Sequence, residues 1–156
     1  MKSPVSKSVA TTFWSAVVAG ATAAVVSSLP GLAWVLHSGV EWWKPIEQIA
    51  SLIGIGVHSG GFDLTALLVG GALYIGLSVG YALPFAFATR RCGTRAVLLA
   101  GIAYGSTIYL VNFPLFTALG WFDAVRARSE SLVELAAHIM FGLTLASGLA
   151  VWQRRQ

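Results

Sequence analysis

Charge is what this sequence has least of. Charged residues make up 10% of it, against about 25% in an ordinary soluble domain. There is no acidic or basic tract, soluble module, low-complexity segment or polar linker. Cysteine is reduced to Cys92, so an intramolecular disulfide is impossible, and no paired-cysteine metal or redox motif can be written. The glycine-rich runs Gly54-Ile55-Gly56 and Ser59-Gly60-Gly61 lack the lysine and the preceding strand that a phosphate-cradling loop needs. They read instead as a hinge. HExxH is absent, and the serines have no evident histidine–acid partnership, so no nucleophile is apparent and no enzyme is expected.

Apolar residues are what the sequence has instead, at 56% against about 45–50% in ordinary domains. Crossing a bilayer takes about 20 apolar residues per helix. Runs that long occupy residues 9–29, 64–88, 96–120 and 132–152. The expectation is an all-α integral membrane four-helix bundle, residues 1–156 forming a single transmembrane domain. The first run follows Lys2 and Lys7, and Gly31-Leu32-Ala33 would suit cleavage, but it exceeds the roughly 7–15 apolar residues of a signal peptide. A retained helix is expected.

Orientation follows from the basic residues. Lys2, Lys7, Arg90, Arg91, Arg95, Arg154 and Arg155 fall before the first run, between the second and third, or after the fourth; Lys44, Arg126 and Arg128 fall in the other connections. The positive-inside rule then puts both termini in the cytoplasm. The acids Glu41, Glu47, Asp63, Asp123, Glu130 and Glu134 lie on the opposite side or just inside it. The net charge of +4 is therefore a topology signal and a match to lipid headgroups, with no nucleic-acid partner expected.

The connection 30–63 is the long one. Trp34, Trp42 and Trp43 suit the headgroup level, where an indole can be apolar on one side and wet on the other. Pro45 suits the first turn of a helix, and Ile46, Ile49 and Ile53 then make an apolar stripe among Glu47, Gln48 and Ser51. A short amphipathic helix over 45–54 is expected, lying on the outer surface or folded back over the bundle. It anchors the bundle or covers a ligand.

Small residues recur at four-residue spacing in each run: Ala16, Gly20 and Ala24; Ala72, Gly76 and Gly80; Gly101 and Gly105; Gly142, Ala146 and Ala150. In lipid such seams let helices approach closely. Gly20, Gly76, Gly80, Gly101, Gly105 and Gly142 are thus the expected packing glycines. Pro84 and Pro114 should kink their helices near the ends, with Asn112 beside the second.

Polar groups inside apolar runs are candidates for function because burying them in hydrocarbon is costly. Asn112 and His138 fall at similar depth in the outer half, Tyr74 and Tyr109 nearer the middle. Glu130, Glu134 and His138 are spaced to stack on one helix face, and His37, Glu41, His58 and Asp63 could converge on the same mouth. Three readings stay open: interhelical hydrogen-bond glue, a proton or ion path through Glu134 and His138, or a metal held by Glu134, His138 and His58 with Asn112 orienting an imidazole. Haem would need facing histidines within the spans, and only His138 is firmly inside one, so no cofactor or metal is expected.

A small-residue first span from Ala16 to Ala24, the segment Trp42-Trp43-Lys44-Pro45-Ile46, a glycine-rich second span (Gly70-Gly71, Gly76, Gly80) and a last span carrying Glu134, His138 and Gly142 together resemble the YagU-like group of small bacterial inner-membrane proteins. Members of that group often place a histidine where this chain has Tyr74. The resemblance implies a four-helix inner-membrane protein and brings no established activity. The expected role is that of a structural or accessory subunit. Its partners would be the lipid bilayer and an integral membrane protein or further copies of the chain, met through glycine faces. The alternative is a small transporter or ion/proton pathway.

Overall fold

The computed structural model describes residues 4–56, 61–115, 118 and 131–154. Among these the regular structure is all helical. It comprises α1 (Pro4–Ser38), α2 (Lys44–Ser51), α3 (Leu64–Thr89), α4 (Thr94–Leu110) running into a π-helical turn (Val111–Leu115), and α5 (Ser131–Gln153). Four of these helices, α1, α3, α4 and α5, are long and apolar enough to cross a membrane. The chain is a multi-pass membrane protein built on a helical bundle.

The first helix is longer than expected. It continues through Pro30 to Ser38, so Gly31-Leu32-Ala33 and Trp34 are helical rather than part of a loop. Proline removes only one backbone hydrogen bond, and at about 1.5 Å per residue the extension adds more than two turns. Where water is scarce, a continued helix satisfies more backbone groups than an irregular exit would. Gly39 then ends it with φ of 72°, a conformation that favours glycine.

The second helix is shorter than expected and buries a different face. Lys44–Ser51 carries Pro45 in its first turn, and its buried residues are Glu47 and Ala50, while Ile53 lies beyond the helix and is exposed. The helix folds back onto α3. Gly70 is the seat: a Cβ there would collide with the Ile46 carbonyl. Glu47 is buried because its Oε1 accepts the Asp63 N–H at 2.8 Å. Asp63 caps α3 in turn, accepting from Ala66 N at 3.0 Å. A side chain that reads as the wet face of an amphipathic helix is thus the tie between α2 and α3.

The bundle is assembled by small residues. Helix α1 packs closely on α3 and α5, and α5 on α4. Gly20 sits against Val79 and Ala82, with room for a Cβ only 2.7 Å from the Ala82 methyl. Gly101 and Gly142 face each other so closely that a Cβ on either would meet the other's carbonyl, and Gly105 lies against the His138 carbonyl. Gly148 meets Ala19 in the same way, at 3.1 Å. Ala16, Ala19, Ala23, Ala82, Ala86, Ala146 and Ala150 fill the core around Leu145, Val97 and Phe85.

Helices α3 and α4 follow one another through a tight turn, as their short connection requires, but they meet differently. Their link runs through large rings: Phe85 stacks on Tyr104 at 4.9 Å. Gly76 and Gly80 take no part in packing among the described residues, and nothing lies within 4 Å of a Cβ at either. At about 3.6 residues per turn, the face that α3 gives to α1 (Ser78, Ala82, Phe85, Ala86) leaves them on its outer side.

Replacing Gly142 by alanine should destabilise the bundle by roughly 1–3 kcal/mol, because the atoms that must move are backbone. Gly71→Ala, where the added methyl meets nothing within 4 Å, should leave stability unchanged or slightly raised. Reversible unfolding of both variants in mixed micelles checks this.

Candidate functional site

Two clusters of polar groups form inside the spans. Each is positioned by a tyrosine of α3 reaching across to a neighbouring helix. One lies toward the α2 end of the bundle, the other between α3 and the π-helical turn.

At the first, the Tyr74 hydroxyl is 3.0 Å from Ser27 Oγ and 3.2 Å from the Ala24 carbonyl on α1. Ser27 Oγ is itself 3.2 Å from that carbonyl. With two hydroxyl protons, two of these three contacts are hydrogen bonds at a time, and each proton finds an acceptor whichever hydroxyl donates to the other. The Glu134 carboxylate, one turn inside α5, is close enough to interact electrostatically with the Tyr74 hydroxyl.

His138 lies one turn further along α5. Its Nδ1 is 2.7 Å from the Glu134 carbonyl. A carbonyl can only accept, so Nδ1 carries the proton and, in the neutral ring, Nε2 is the nitrogen left with a lone pair. The ring is held edge-on by Tyr109 and Phe113, with centroids at 5.8 and 5.7 Å. Those two rings stack on each other at 5.5 Å. His138 is therefore fixed by its own helix and an aromatic clamp, and Asn112 does not orient it through its ring nitrogen at Nδ1.

Asn112 belongs to the second cluster. Tyr81 donates to its Oδ1 at 2.8 Å, and Tyr104 donates to the Tyr81 carbonyl at 2.8 Å. The π-helical turn Val111–Leu115 contains both Asn112 and Pro114. Proline has no N–H for the Leu110 carbonyl, and the ladder widens there. Pro114, expected to kink its helix, stands within this π-helical turn, and the Tyr81–Asn112 bond ties the widened turn to α3.

The expected residues thus separate. Tyr74, Glu134 and His138 belong to one neighbourhood and Asn112 to the other. His58 and Glu130 lie outside the described residues, and so do the metal set that uses His58 and the outermost step of the acid–histidine ladder. Among the described residues no group of three or more histidine, cysteine, aspartate or glutamate side chains could hold a metal ion. Of the tryptophans expected at the surface, Trp42 is half exposed, while Trp43 packs edge-on against Trp42 and Phe62 at 5.7 and 5.6 Å. The buried Nε1 of Trp43 has no hydrogen-bond partner among the described residues. Trp34 sits half-buried on α1.

Tyr81, Tyr104 and Gly148 were not singled out by sequence reasoning, while Ser27, Glu47 and Gly70 stand in its patterns without these contacts. A count of intramembrane hydroxyls would have found the tyrosines, since each must find an acceptor in hydrocarbon. Nothing in the sequence distinguishes Glu47 from a solvent-facing helix residue.

The third feature is a surface. Val69, Ala72, Leu73, Gly76, Leu77, Gly80 and Tyr81 line an open groove of about 610 Å³ along α3. Pro84 lies one turn beyond Gly80 and has no N–H to give to its carbonyl.

Removing the Tyr81–Asn112 bond leaves Asn112 without that donor in a half-buried site. A double-mutant cycle with Tyr81→Phe and Asn112→Ala should give a coupling of about 0.6–1.7 kcal/mol, the range of interhelical bonds in lipid. Tyr74→Phe should cost less, because Ser27 retains the Ala24 carbonyl. Unfolding equilibria of the variants decide between the two.

No protein-family model, curated protein or solved structure matches this chain.

Proposed function

We propose that the protein is a structural or accessory subunit of the bacterial inner membrane, with both termini in the cytoplasm, that docks through the outward face of α3. The open groove along Ala72, Gly76 and Gly80 carries this reading. Inside the bundle the same spacing of small residues, Gly101 with Gly105, is covered by Gly142 and His138 of α5. On α3 it is bare. In lipid, close backbone approach is a main source of helix association, so an uncovered seam of this kind fits a second transmembrane helix. The Gly80 carbonyl, deprived of its helical donor by Pro84, adds a polar reason to be covered. The occupant is an integral membrane partner or a further copy of the chain. Kinship with the YagU-like group belongs to the same proposal, since Trp42-Trp43-Lys44-Pro45-Ile46 leads into α2 and the His138–Gly142 pair forms the α4 contact.

The ion or proton pathway is supported by Glu134 and His138, one turn apart on α5 and joined by the bond from His138 Nδ1 to the Glu134 carbonyl. Beyond that cluster, however, the interior is filled by Val97, Leu145, Ala146, Leu149 and Ala150, each at most 4% exposed. A path through these residues would require the bundle to open. The docking role asks for no such movement.

Gly76→Leu should abolish co-purification of the partner, or self-association, while leaving the monomer's stability within about 0.5 kcal/mol, as expected of a surface change. Gly105→Leu should instead fail to assemble the bundle, because its seat is internal. Native mass determination after mild extraction, paired with unfolding of each variant, reads both. A Gly76→Leu protein that keeps its assembly intact contradicts the proposal.

A further inference from the structure

Arg90, Arg91, Arg95 and Arg154 read in the sequence as topology signals. The fold does more with them, because it joins the two segments that carry them. Gln153 Nε2 donates to the Thr89 carbonyl at 3.2 Å, across 64 positions of sequence. Arg154 Nη2 reaches Thr94 Oγ1 at 3.4 Å. The turn itself is closed by Cys92 N donating to Thr89 O at 2.9 Å. The end of α5 is thereby fastened to the turn between α3 and α4, and Arg154 is brought onto the first residue of α4, beside Arg95 and after Arg90 and Arg91. All four side chains are exposed.

This cluster has no acidic side chain in its own segments: residues 64–122 and 135–156 contain neither aspartate nor glutamate. It is also all arginine, whereas the chain's lysines stand at positions 2, 7 and 44. Guanidinium presents a planar fork that matches two phosphate oxygens, which a lysine ammonium cannot do. Helix α4 starts from Gly93 with no side-chain cap, so its first N–H groups point toward the same place with partial positive charge. The nearest dense anion at the end of a membrane-spanning bundle is the lipid phosphate layer.

We propose that the α3–α4 turn and the end of α5 form a binding site for the phosphate group of an anionic lipid, with Arg95 and Arg154 as its principal ligands and Arg90 and Arg91 at its rim. The site is separate from the α3 groove and does not depend on what docks there. Arginines serving only as topology signals would attract anionic lipid diffusely and hold no particular molecule.

The test uses the full chain, extracted in mild detergent and exchanged into nanodiscs of phosphatidylcholine containing a minor fraction of phosphatidylglycerol. Native mass spectrometry should show one phosphatidylglycerol retained per chain. Arg95→Gln with Arg154→Gln should weaken that retention about tenfold, the scale of losing charge-assisted bidentate contacts. Lys2→Gln with Lys7→Gln removes the same charge and should leave it unchanged. The substituted arginines are exposed, and an unaltered melting temperature verifies that the variants fold. Equal retention of phosphatidylcholine overturns the proposal, as does equal loss in the lysine variant. Displacement of phosphatidylglycerol by millimolar inorganic phosphate, but not by chloride, would make the ligand a free phosphate and overturn the lipid assignment.

Discussion

The bundle depends on the approach of two backbones, α4 and α5, at Gly101, Gly105 and Gly142. In water a helix pair is driven together by burying apolar side chains. In lipid that force largely vanishes, and what remains is van der Waals contact, interhelical hydrogen bonding and the release of lipid. Contact of that quality needs surfaces without bulk. Once α5 is seated on α4, its other side offers Gly148 to Ala19 of α1, and α1 in turn offers Gly20 to Ala82 of α3. The order of helices around the bundle follows from this chain of small-residue seats.

The polar interior follows from the same arrangement. Helices α3 and α4 are held apart, and the space between them is filled by the rings of Phe85, Tyr81 and Tyr104. Tyrosine suits that position, since its ring fills the gap and its hydroxyl satisfies a neighbour: the Asn112 amide in one case and the Tyr81 carbonyl in the other. Tyr74 does the same toward α1. His138 is turned back on the Glu134 carbonyl and held edge-on by Tyr109 and Phe113. These contacts specify how the helices are rotated against one another more than they add to stability, each being small in lipid.

Much of this was legible beforehand. Four spans could be counted from apolar length, and three of them, 64–88, 96–120 and 132–152, begin within two residues of the helices observed at Leu64, Thr94 and Ser131. Span one reads as ending at Leu29, because proline reads as a boundary, whereas the membrane favours continuing the helix to Ser38. Of the six expected packing glycines, Gly20, Gly101, Gly105 and Gly142 have close interhelical seats, while Gly76 and Gly80 are open. Spacing identifies a seam but not the direction it faces, because helix rotation is set by all the neighbours together. The same limit separated Asn112 from His138 despite their similar depth. Glu47 was illegible for another reason: its burial depends on the Asp63 N–H, a backbone partner that no side-chain pattern reports.

The claim most exposed to test is that small residues bring α1 and α5 into direct contact. Ala19→Cys and Gly148→Cys, introduced together with Cys92→Ser, place two thiols where the Ala19 methyl and a Gly148 Cβ stand 3.1 Å apart, near the 3.5–4.5 Å spacing of disulfide Cβ atoms, roughly. Mild oxidation in native membranes should close an intrachain bond in nearly every molecule, and Ala19→Cys paired with Gly71→Cys should close none. Absence of the first bond, or its formation only between chains, would contradict the small-residue bundle described above.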